Sequence, residues 1–400
     1  MRTYDTYKDS GISWLGQIPS HWDVRRTKTI WEEHVSLSET GTEQLLSVSQ
    51  YDGVKPNDEG SRSESLVGYK VVDSSNLVIN IMLAWLGGLG VSKYKGIVSP
   101  AYCVYKLKEN HCPEYFHYLY RTAMYLAEFA RKSTGVVPSR WRMYTDSFGT
   151  VLSLVPPLAE QKAIVAYLDS AAAEIDKAIA SQQRMVTLLQ ERKQIIINQA
   201  VTQGLNPDAP MKPTNIDWLP QIPAHWQLKK IKYVVLLKSG QNLTSEQIEK
   251  EDLYPVYGGN GLRGYYSDYN NDGDYVLIGR QGALCGNINY AHNKFWATEH
   301  AVVCYPVDRV NVLWLGETLR AMNLNRYATA SAQPGLAVEN IKGLMMPVPD
   351  YKEQNDIADY IEKQTKPIDD SIERCNKMIG ALTERKQILI NDVITGKIKV

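Results

Sequence analysis

Most of the features that mark an enzyme are missing from this chain. There is no G-x-x-x-x-G-K-[ST] phosphate loop, since the nearest stretch, "ITGKI", lacks the first glycine, and no G-x-S-x-G elbow or H-E-x-x-H occurs. "VPPL" has no acid or asparagine before its prolines, which excludes the N-P-P-aromatic pocket of amino-methyltransferases. The "TEH" at 298–300 sets a carboxylate beside a histidine, but strand neighbours point to opposite faces, so it is expected to be structural. The five cysteines (Cys103, Cys112, Cys285, Cys304 and Cys375) form no C-x-x-C pair and are odd in number, which points to free, mostly buried thiols. His111, Cys112 and His117 cluster without the second ligand pair that a zinc site needs, so no metal is expected. The longest apolar run, "LVINIMLAWLGGLGV" at 77–91, is 15 residues with Asn80 and three glycines inside it, a buried hairpin rather than a membrane span. The polar start "MRTYDTYKDSG" has no signal-peptide character, and a cytoplasmic location is the expectation. Net charge is also absent: 44 basic residues balance 44 acidic ones, at a pI near 7.0. An independent nucleic-acid binder usually shows a pI above about 9. Either nucleic acid is not the partner, or other subunits share the charge.

What the chain does have is repetition, the first thing to look for in a sequence of 400 residues, long enough for two to three domains. "WLGQIPSHW" at 14–22 returns as "WLPQIPAHW" at 218–226, identical at seven of nine positions. "ERKQIIIN" at 191–198 returns as "ERKQILIN" at 384–391, and "VPPLAEQKAIVAYLD" at 155–169 as "VPDYKEQNDIADYIE" at 348–362. The tryptophan peptides lie 204 positions apart and the later pairs 193, so the first insert is 11 residues longer. Similar frames therefore enclose dissimilar inserts.

The frames predict two long helices. Leu168, Ile175, Gln182, Leu189 and Ile196 recur every seven residues, with Ala172, Ile179, Val186, Lys193 and Ala200 four places on. Ile361, Ile368, Cys375, Leu382 and Leu389 repeat the pattern, with Thr365, Ile372, Ile379, Lys386 and Val393 between them. This is a coiled-coil seam, and each helix is the economical partner of the other, antiparallel if the halves are related by a pseudo-twofold axis; the alternative is that each helix packs on its own insert. Pro367 is expected to begin a new helix after a short first one, and Gly204 and Gly396 to end the two. The inserts read as mixed α/β. Strands are expected at 69–73, 96–107, 231–238, 274–280 and 301–305, with one late helix in each insert, at 113–131 and 310–328. Each helix leads into a small-residue loop, "KSTGVVPS" or "TASAQPG".

Two segments suit contact with DNA. "RKSTGVVPSRWR" at 131–142 reads as a loop and carries Arg131, Lys132, Arg140 and Arg142 around Trp141 with no acid among them. Such side chains neutralise phosphates or fork onto guanine edges, and the pattern also fits an ordinary solvated basic face. The stretch 257–290 holds eight glycines, with Asn260, Arg263, Arg280 and Gln281 among its polar residues. Glycine lets the backbone approach a ligand, and Asn, Gln and Arg are the natural base readers.

The duplicated order of "WLGQIPSHW"/"WLPQIPAHW", "PPLAEQ"/"PDYKEQ" and "ERKQI" resembles the DNA-specificity subunit of type I restriction-modification systems, over essentially the whole chain. The resemblance implies an α+β architecture of two mixed α/β target-recognition domains joined by an antiparallel pair of long helices, with a pseudo-twofold internal repeat. The implied domains are 1–155 and 205–348, with helical regions at 156–204 and 349–400. Each target domain would read one half of a split double-stranded DNA site, and the helices would set the distance between halves. The chain itself would be non-catalytic and hold no cofactor. Two methyltransferase subunits would bind S-adenosylmethionine and methylate adenine, and, in a restriction enzyme, two motor-nuclease subunits would use ATP and Mg. No base-reading residue carries over by motif, because family target domains vary too much. Trp14, Trp22, Trp218 and Trp226 would be packing anchors or partner contacts where each domain joins the frame. Two rival readings are a coiled-coil scaffold with two protein-binding modules, and a fused methyltransferase or nuclease with an unrecognised site.

Overall fold

A computed structural model describes residues 2–58, 65–137, 140–282, 284–329 and 335–400. Pro138 and Ser139 of the first small-residue loop, and 330–334 of the second, lie outside the described residues. The two expected helices are present as Leu158–Gln203, 46 residues, and Tyr351–Ile394, 44 residues. Every residue of the two seven-residue stripes is at least partly shielded from solvent.

Pro367 does not start a helix. It lies inside the second one, at an exposed position, so the carbonyl that loses its partner four residues earlier faces solvent. Seam residues Ile361, Thr365 and Ile368, all buried, hold the helix on both sides of it.

The chain divides into two compact units, residues 1–182 with 377–400, and residues 183–376. Each takes a part of both helices. In the first unit Lys386 Nζ donates to both carboxylate oxygens of Asp176 at 2.7 Å. In the second, Lys193 Nζ donates to both of Asp369 at 2.7 Å. Lysine and aspartate each recur at the 193-residue offset, so one bridge is the repeat of the other, and in each unit the helices run antiparallel.

The inserts share one topology despite their different sequences. In the first unit a four-stranded antiparallel sheet has the order Trp31–Glu33, Tyr102–Leu107, Leu77–Asn80, Leu89–Val91. In the second the order is Val235–Ser239, Ala301–Pro306, Tyr275–Gly279, Ile288–Ala291. A second group follows the same plan: hairpin Leu46–Ser49/Gly53–Pro56 corresponds to Tyr254–Gly258/Gly261–Tyr266. The parallel bridge Leu45–Ile97 corresponds to the parallel pairing of 256–257 with 296–297. Each insert is closed by its first and last strands, Asp23–Arg26 against Leu152–Val155 and Gln227–Lys230 against Met345–Val348. The first core is aromatic, with Trp22, Tyr115, Phe116, Tyr120, Tyr125, Phe129 and Phe148 fully buried.

Four further details differ from expectation. The first late helix is two, Pro113–Tyr120 and Ala123–Lys132. The break follows Arg121, whose guanidinium donates to the carbonyls of Gln50, Tyr51, Gly87 and Leu89. Its counterpart ends at Ala321, where Asn323 turns left-handed at φ 47° and a 3-10 turn, Leu324–Tyr327, follows. The strand expected at 231–238 begins as a 3-10 turn, Ile231–Tyr233, before strand Val235–Ser239. The strand expected at 96–107 is two, Gly96–Val98 and Tyr102–Leu107, separated by a turn in which Tyr102 N–H bonds the Ser99 carbonyl.

Candidate nucleic-acid interface

The repeated motifs build the same anchor in each unit. Trp22 and Trp226 are buried in the two cores, while Trp14 and Trp218 pack half-buried against them. Trp14 meets Tyr125 edge-on at 5.2 Å between ring centroids. The histidine of each tryptophan peptide contacts the glutamate of the "EQ" motif, His21 Nε2 to Glu160 Oε2 at 2.8 Å and His225 Nε2 to Glu353 Oε2 at 2.9 Å. The adjoining glutamine is buried. Gln161 accepts the Cys112 N–H at 2.9 Å and donates to the Pro156 carbonyl at 2.8 Å. Gln354 accepts the Asn311 N–H at 3.0 Å and donates to the Pro349 carbonyl at 3.1 Å. Cys112 and Asn311 are the residues that begin helices Pro113–Tyr120 and Val312–Ala321, so each glutamine ties the start of an insert helix to the frame. The helix-ending glycines close the anchor. Gly396, at φ +77°, lies where a Cβ would strike Pro19 and sit 3.1 Å from Trp22; a Cβ on Gly204, at φ +73°, would sit 3.3 Å from both Trp226 and Glu353.

A second arrangement is also built twice. The segment after strand Leu77–Asn80 meets the segment after helix Ala123–Lys132 through Met143 N–H to the Ile81 carbonyl, 2.9 Å. In the second unit Leu336 N–H reaches the Arg280 carbonyl, 2.8 Å, between the equivalent segments. Arg140 and Arg142 lie on this edge of the first unit, and Arg280 and Gln281 on this edge of the second. Arg142 also pairs with Thr134 through backbone bonds of 2.9 and 3.0 Å.

Arg131 and Lys132 are not in the loop, but in the last turn of helix Ala123–Lys132. Arg131 forks onto Glu128 with two bonds of 2.7 Å, and this pairing raises its pKa further. The Arg131 side chain is itself 64% exposed, whereas that of Glu128 is 6% exposed.

In the second unit the hairpin tip joins the edge. A Cβ on Gly279 would run into the Gly259 carbonyl oxygen, and one on Gly259 would sit 3.2 Å from the carbonyl oxygens of Gln281 and His300. Glycine at both positions lets the hairpin close onto Arg280 and Gln281. Asn260, exposed at the tip, accepts from Asn287 Nδ2 at 3.1 Å. Arg280 reaches Ser239 Oγ and Arg263 reaches Ser245 Oγ, both at 3.3 Å, and the stem of Arg263 covers Gly258. Four buried polar atoms nearby, Asn289 Nδ2, Thr298 Oγ1, Glu299 Oε2 and His300 Nδ1, have no hydrogen-bond partner. The buried indole nitrogens of Trp22, Trp226 and Trp314 in the two cores share this lack, so it does not by itself mark a binding site. Glu299 and His300 lie in the turn between strands rather than within one, and touch each other at 3.1 Å.

His111, Cys112 and His117 do not converge: His117 Nδ1 accepts the Val91 N–H at 3.2 Å, and Cys112 Sγ faces Glu114. Among the described residues no His/Cys/Asp/Glu group could hold a metal ion, and no helix is long and apolar enough to cross a membrane.

Neither the glutamine anchors nor the edge pairing has a signal within its own segment of sequence. The "EQ" dipeptide and the histidine were visible as repeated letters, but their partners lie about 50 to 140 residues away.

Residues 223–379 match the protein family described as Type I restriction modification DNA specificity domain. The Type I restriction enzyme EcoprrI specificity subunit of Escherichia coli is 43% identical over 139 residues, 34% of this chain and 35% of that one. The match thus spans about a third of that relative's length. The Type I restriction enzyme MjaVIII specificity subunit of Methanocaldococcus jannaschii is 22% identical over 365 residues, 82% of each chain. A solved chain described under "Structural basis underlying complex assembly and conformational transition of the type I R-M system" superposes with a TM-score of 0.67 at 15% identity, covering 94% of this chain and 98% of that one. At that identity the likeness is one of fold. Together these bear out the resemblance carried by the repeated motifs.

Proposed function

We propose that this chain is the DNA-specificity subunit of a type I restriction-modification complex, in which each insert is a target-recognition domain reading one half of a split double-stranded site. The observation that carries the reading is the edge built twice. Dissimilar sequences arrive at the same pair of segments, joined by the same backbone hydrogen bond, and both edges carry arginine. A common fold with different side chains at one edge is what two readers of different sequences require.

The chemistry follows from the side chains. Arg140 and Arg142 neutralise phosphates or fork onto guanine, and Asn260, Arg263, Arg280 and Gln281 supply the donors and acceptors that distinguish base pairs in the major groove. With zero net charge the chain relies on partners for much of the phosphate contact. Those partners are two methyltransferase subunits, which bind S-adenosylmethionine and methylate adenine, and motor-nuclease subunits using ATP and Mg where the system restricts DNA. This subunit recognises and the partners catalyse. The two long helices set the spacing between the half-sites.

The test is an exchange of residues 23–155 for another target domain, followed by mapping of methylated adenines made with the partner methyltransferase. One half of the recognised site is expected to change and the other to persist. Change in both halves, or in neither, refutes the two-reader arrangement.

A further inference from the structure

The edge of the first unit differs in kind from that of the second. The segment 82–86, which ends in the short turn Ala84–Leu86, carries exposed apolar side chains, with Met82 at 37%, Leu83 at 37% and Leu86 at 40% of full exposure. Val136, at 94%, and Val137 are exposed on the facing segment. Trp85 and Trp141, both partly exposed, join the two segments edge-to-face, 5.2 Å between centroids, and the Trp85 indole N–H is held by the Met82 carbonyl at 3.2 Å. The turn also packs on helix Ala123–Lys132, where a Cβ on Gly87 would sit 3.7 Å from Leu126. The corresponding segment of the second unit offers Arg280, Gln281 and Asn287, with Leu284 as its one large exposed apolar side chain among the described residues.

Single exposed apolar side chains are ordinary, but several grouped on one segment mark a surface that meets a partner. Charge selects the partner. Arg140 and Arg142 flank Trp141, the residue that touches the tip's Trp85, no acidic residue lies between 132 and 145, and Glu128 is paired with Arg131. Cations beside Leu and Met side chains are the combination that inserts between base pairs, the cations gripping the phosphates while the apolar wedge unstacks one step.

We propose that Met82, Leu83 and Leu86, buttressed by the Trp85–Trp141 pair, form a wedge that enters one base step of the first half-site. The first domain thus reads the deformability of its DNA, and the second reads base edges by hydrogen bonding. The proposal rests on the specificity-subunit reading. It makes flexible pyrimidine–purine steps the favoured sequence beneath the tip, because they unstack at least cost.

The test uses the chain assembled with its methyltransferase partner. Duplexes carrying the mapped site are labelled with 2-aminopurine at successive positions of the first half-site, away from the methylated adenine. A several-fold rise in emission is expected at one step. The M82A/L86A variant, which changes only exposed side chains, is expected to lose that rise and to bind about tenfold more weakly. A duplex with a single-nucleotide gap at the step, where unstacking is already done, is expected to restore its affinity. Binding within twofold of the parent, with site-specific methylation intact and no emission change at any step, overturns the wedge. Failure of the variant to assemble with the methyltransferase makes the tip a protein interface instead, and also overturns it. If the parent complex selects no sequence at all, the specificity-subunit reading fails first, and this result is separate from loss of the wedge alone.

Discussion

Replacing Gln161 with methionine tests whether the repeated "EQ" motif holds an insert to the frame. The glutamine is fully buried and makes two short bonds to backbone groups, the Cys112 N–H at 2.9 Å and the Pro156 carbonyl at 2.8 Å. Methionine fills a similar volume but offers neither donor nor acceptor of comparable strength. Each backbone group left unpaired costs about 1–3 kcal/mol. Partial relaxation of the helix start at Cys112 favours the lower end, so the expected loss is about 2–4 kcal/mol. For a unit of roughly 200 residues each kcal/mol moves the midpoint about 2–4 °C, and thermal unfolding of the full chain is expected to shift down by about 4–16 °C. Gln354→Met is expected to cost less. Asn311 keeps a second anchor there, its side chain accepting the Trp314 N–H at 3.0 Å. Hydrogen exchange read by mass spectrometry localises the effect, with faster exchange at 112–116 in the first variant and at 311–315 in the second. A midpoint shift below about 1 °C, with exchange unchanged at both helix starts, refutes the anchoring role.

Changing Arg140 and Arg142 to alanine is expected to weaken DNA binding by the assembled complex. The loss is about 1–3 kcal/mol at one base pair if either forks onto guanine, or sequence-independent with a shallower salt slope if both touch phosphates. Arg131→Ala, at a residue already paired with Glu128, is expected to leave affinity nearly unchanged, and filter binding across salt concentrations checks both. His117 gives the first unit an acid-sensitive contribution. Burial, then the charges of Arg121 and Lys93, lowers its pKa to about 4 in the folded state from an ordinary 6.5. Above pH 6.5 it is neutral folded or unfolded. Below that the unfolded chain takes up the proton and the folded one does not, so about 3 kcal/mol is expected to be lost between pH 6.5 and 4. Urea titrations of the chain and of His117→Gln, which should flatten this slope, measure it. A heptad inserted after Gln182, matched by one after Cys375, adds about 10.5 Å to each helix. Both points lie between the two Lys–Asp bridges and preserve the seam. Methylation mapping is expected to show a spacer up to about 3 base pairs longer at roughly 3.4 Å each, and an active variant with an unchanged spacer refutes the helices as a ruler.

The helical frame was legible because its signal is local and periodic. Seven-residue spacing needs no knowledge of the partner, and each residue of the two stripes is shielded as its position requires. The inserts were legible only as a mixture of strands and helices. The break at Arg121 has no proline or glycine to announce it. It arises because the guanidinium serves four carbonyls from two other segments, and a single-sequence reading does not see them. Pro367 misled in the opposite sense, since local chemistry argued for a helix start and the seam on either side overrode it. The candidate DNA residues were chosen by type alone, on arginine-rich and glycine-rich segments. The convergence of Arg280 and Gln281 with the tip of Asn260 depends on a backbone approach between Gly259 and Gly279, twenty residues apart. The apolar tip at 82–86 was hidden for a physical reason: its letters read as buried hairpin, and exposure is decided by what packs over them.

The geometry explains how one frame can serve inserts of unrelated sequence. Each insert begins and ends on paired strands, Asp23 opposite Val155 and Gln227 opposite Val348. The frame thereby brings the two ends of the insert together whatever lies between them, and the entropy of closing so long a loop grows only slowly with its length. The 11 extra residues of the first insert are therefore cheap. The contacts that secure the frame, His with Glu, Gln with backbone, helix-ending Gly with Trp, and Lys with Asp, fall on repeated residues and leave the edge side chains uninvolved. Substitutions at an exposed edge usually change stability by less than about 0.5 kcal/mol, so the edge is free to vary while the anchors are not. Arg121 marks the limit of that freedom. It ties the hairpin turn at Gln50 and Tyr51 and the segment at Gly87 and Leu89 to one helix end within the insert. Transfer of a single loop would leave part of this guanidinium's bonding unmatched in a half-buried place. Specificity should therefore move between chains as the whole insert, from the strand at 23 to the strand ending at 155, and not as isolated loops.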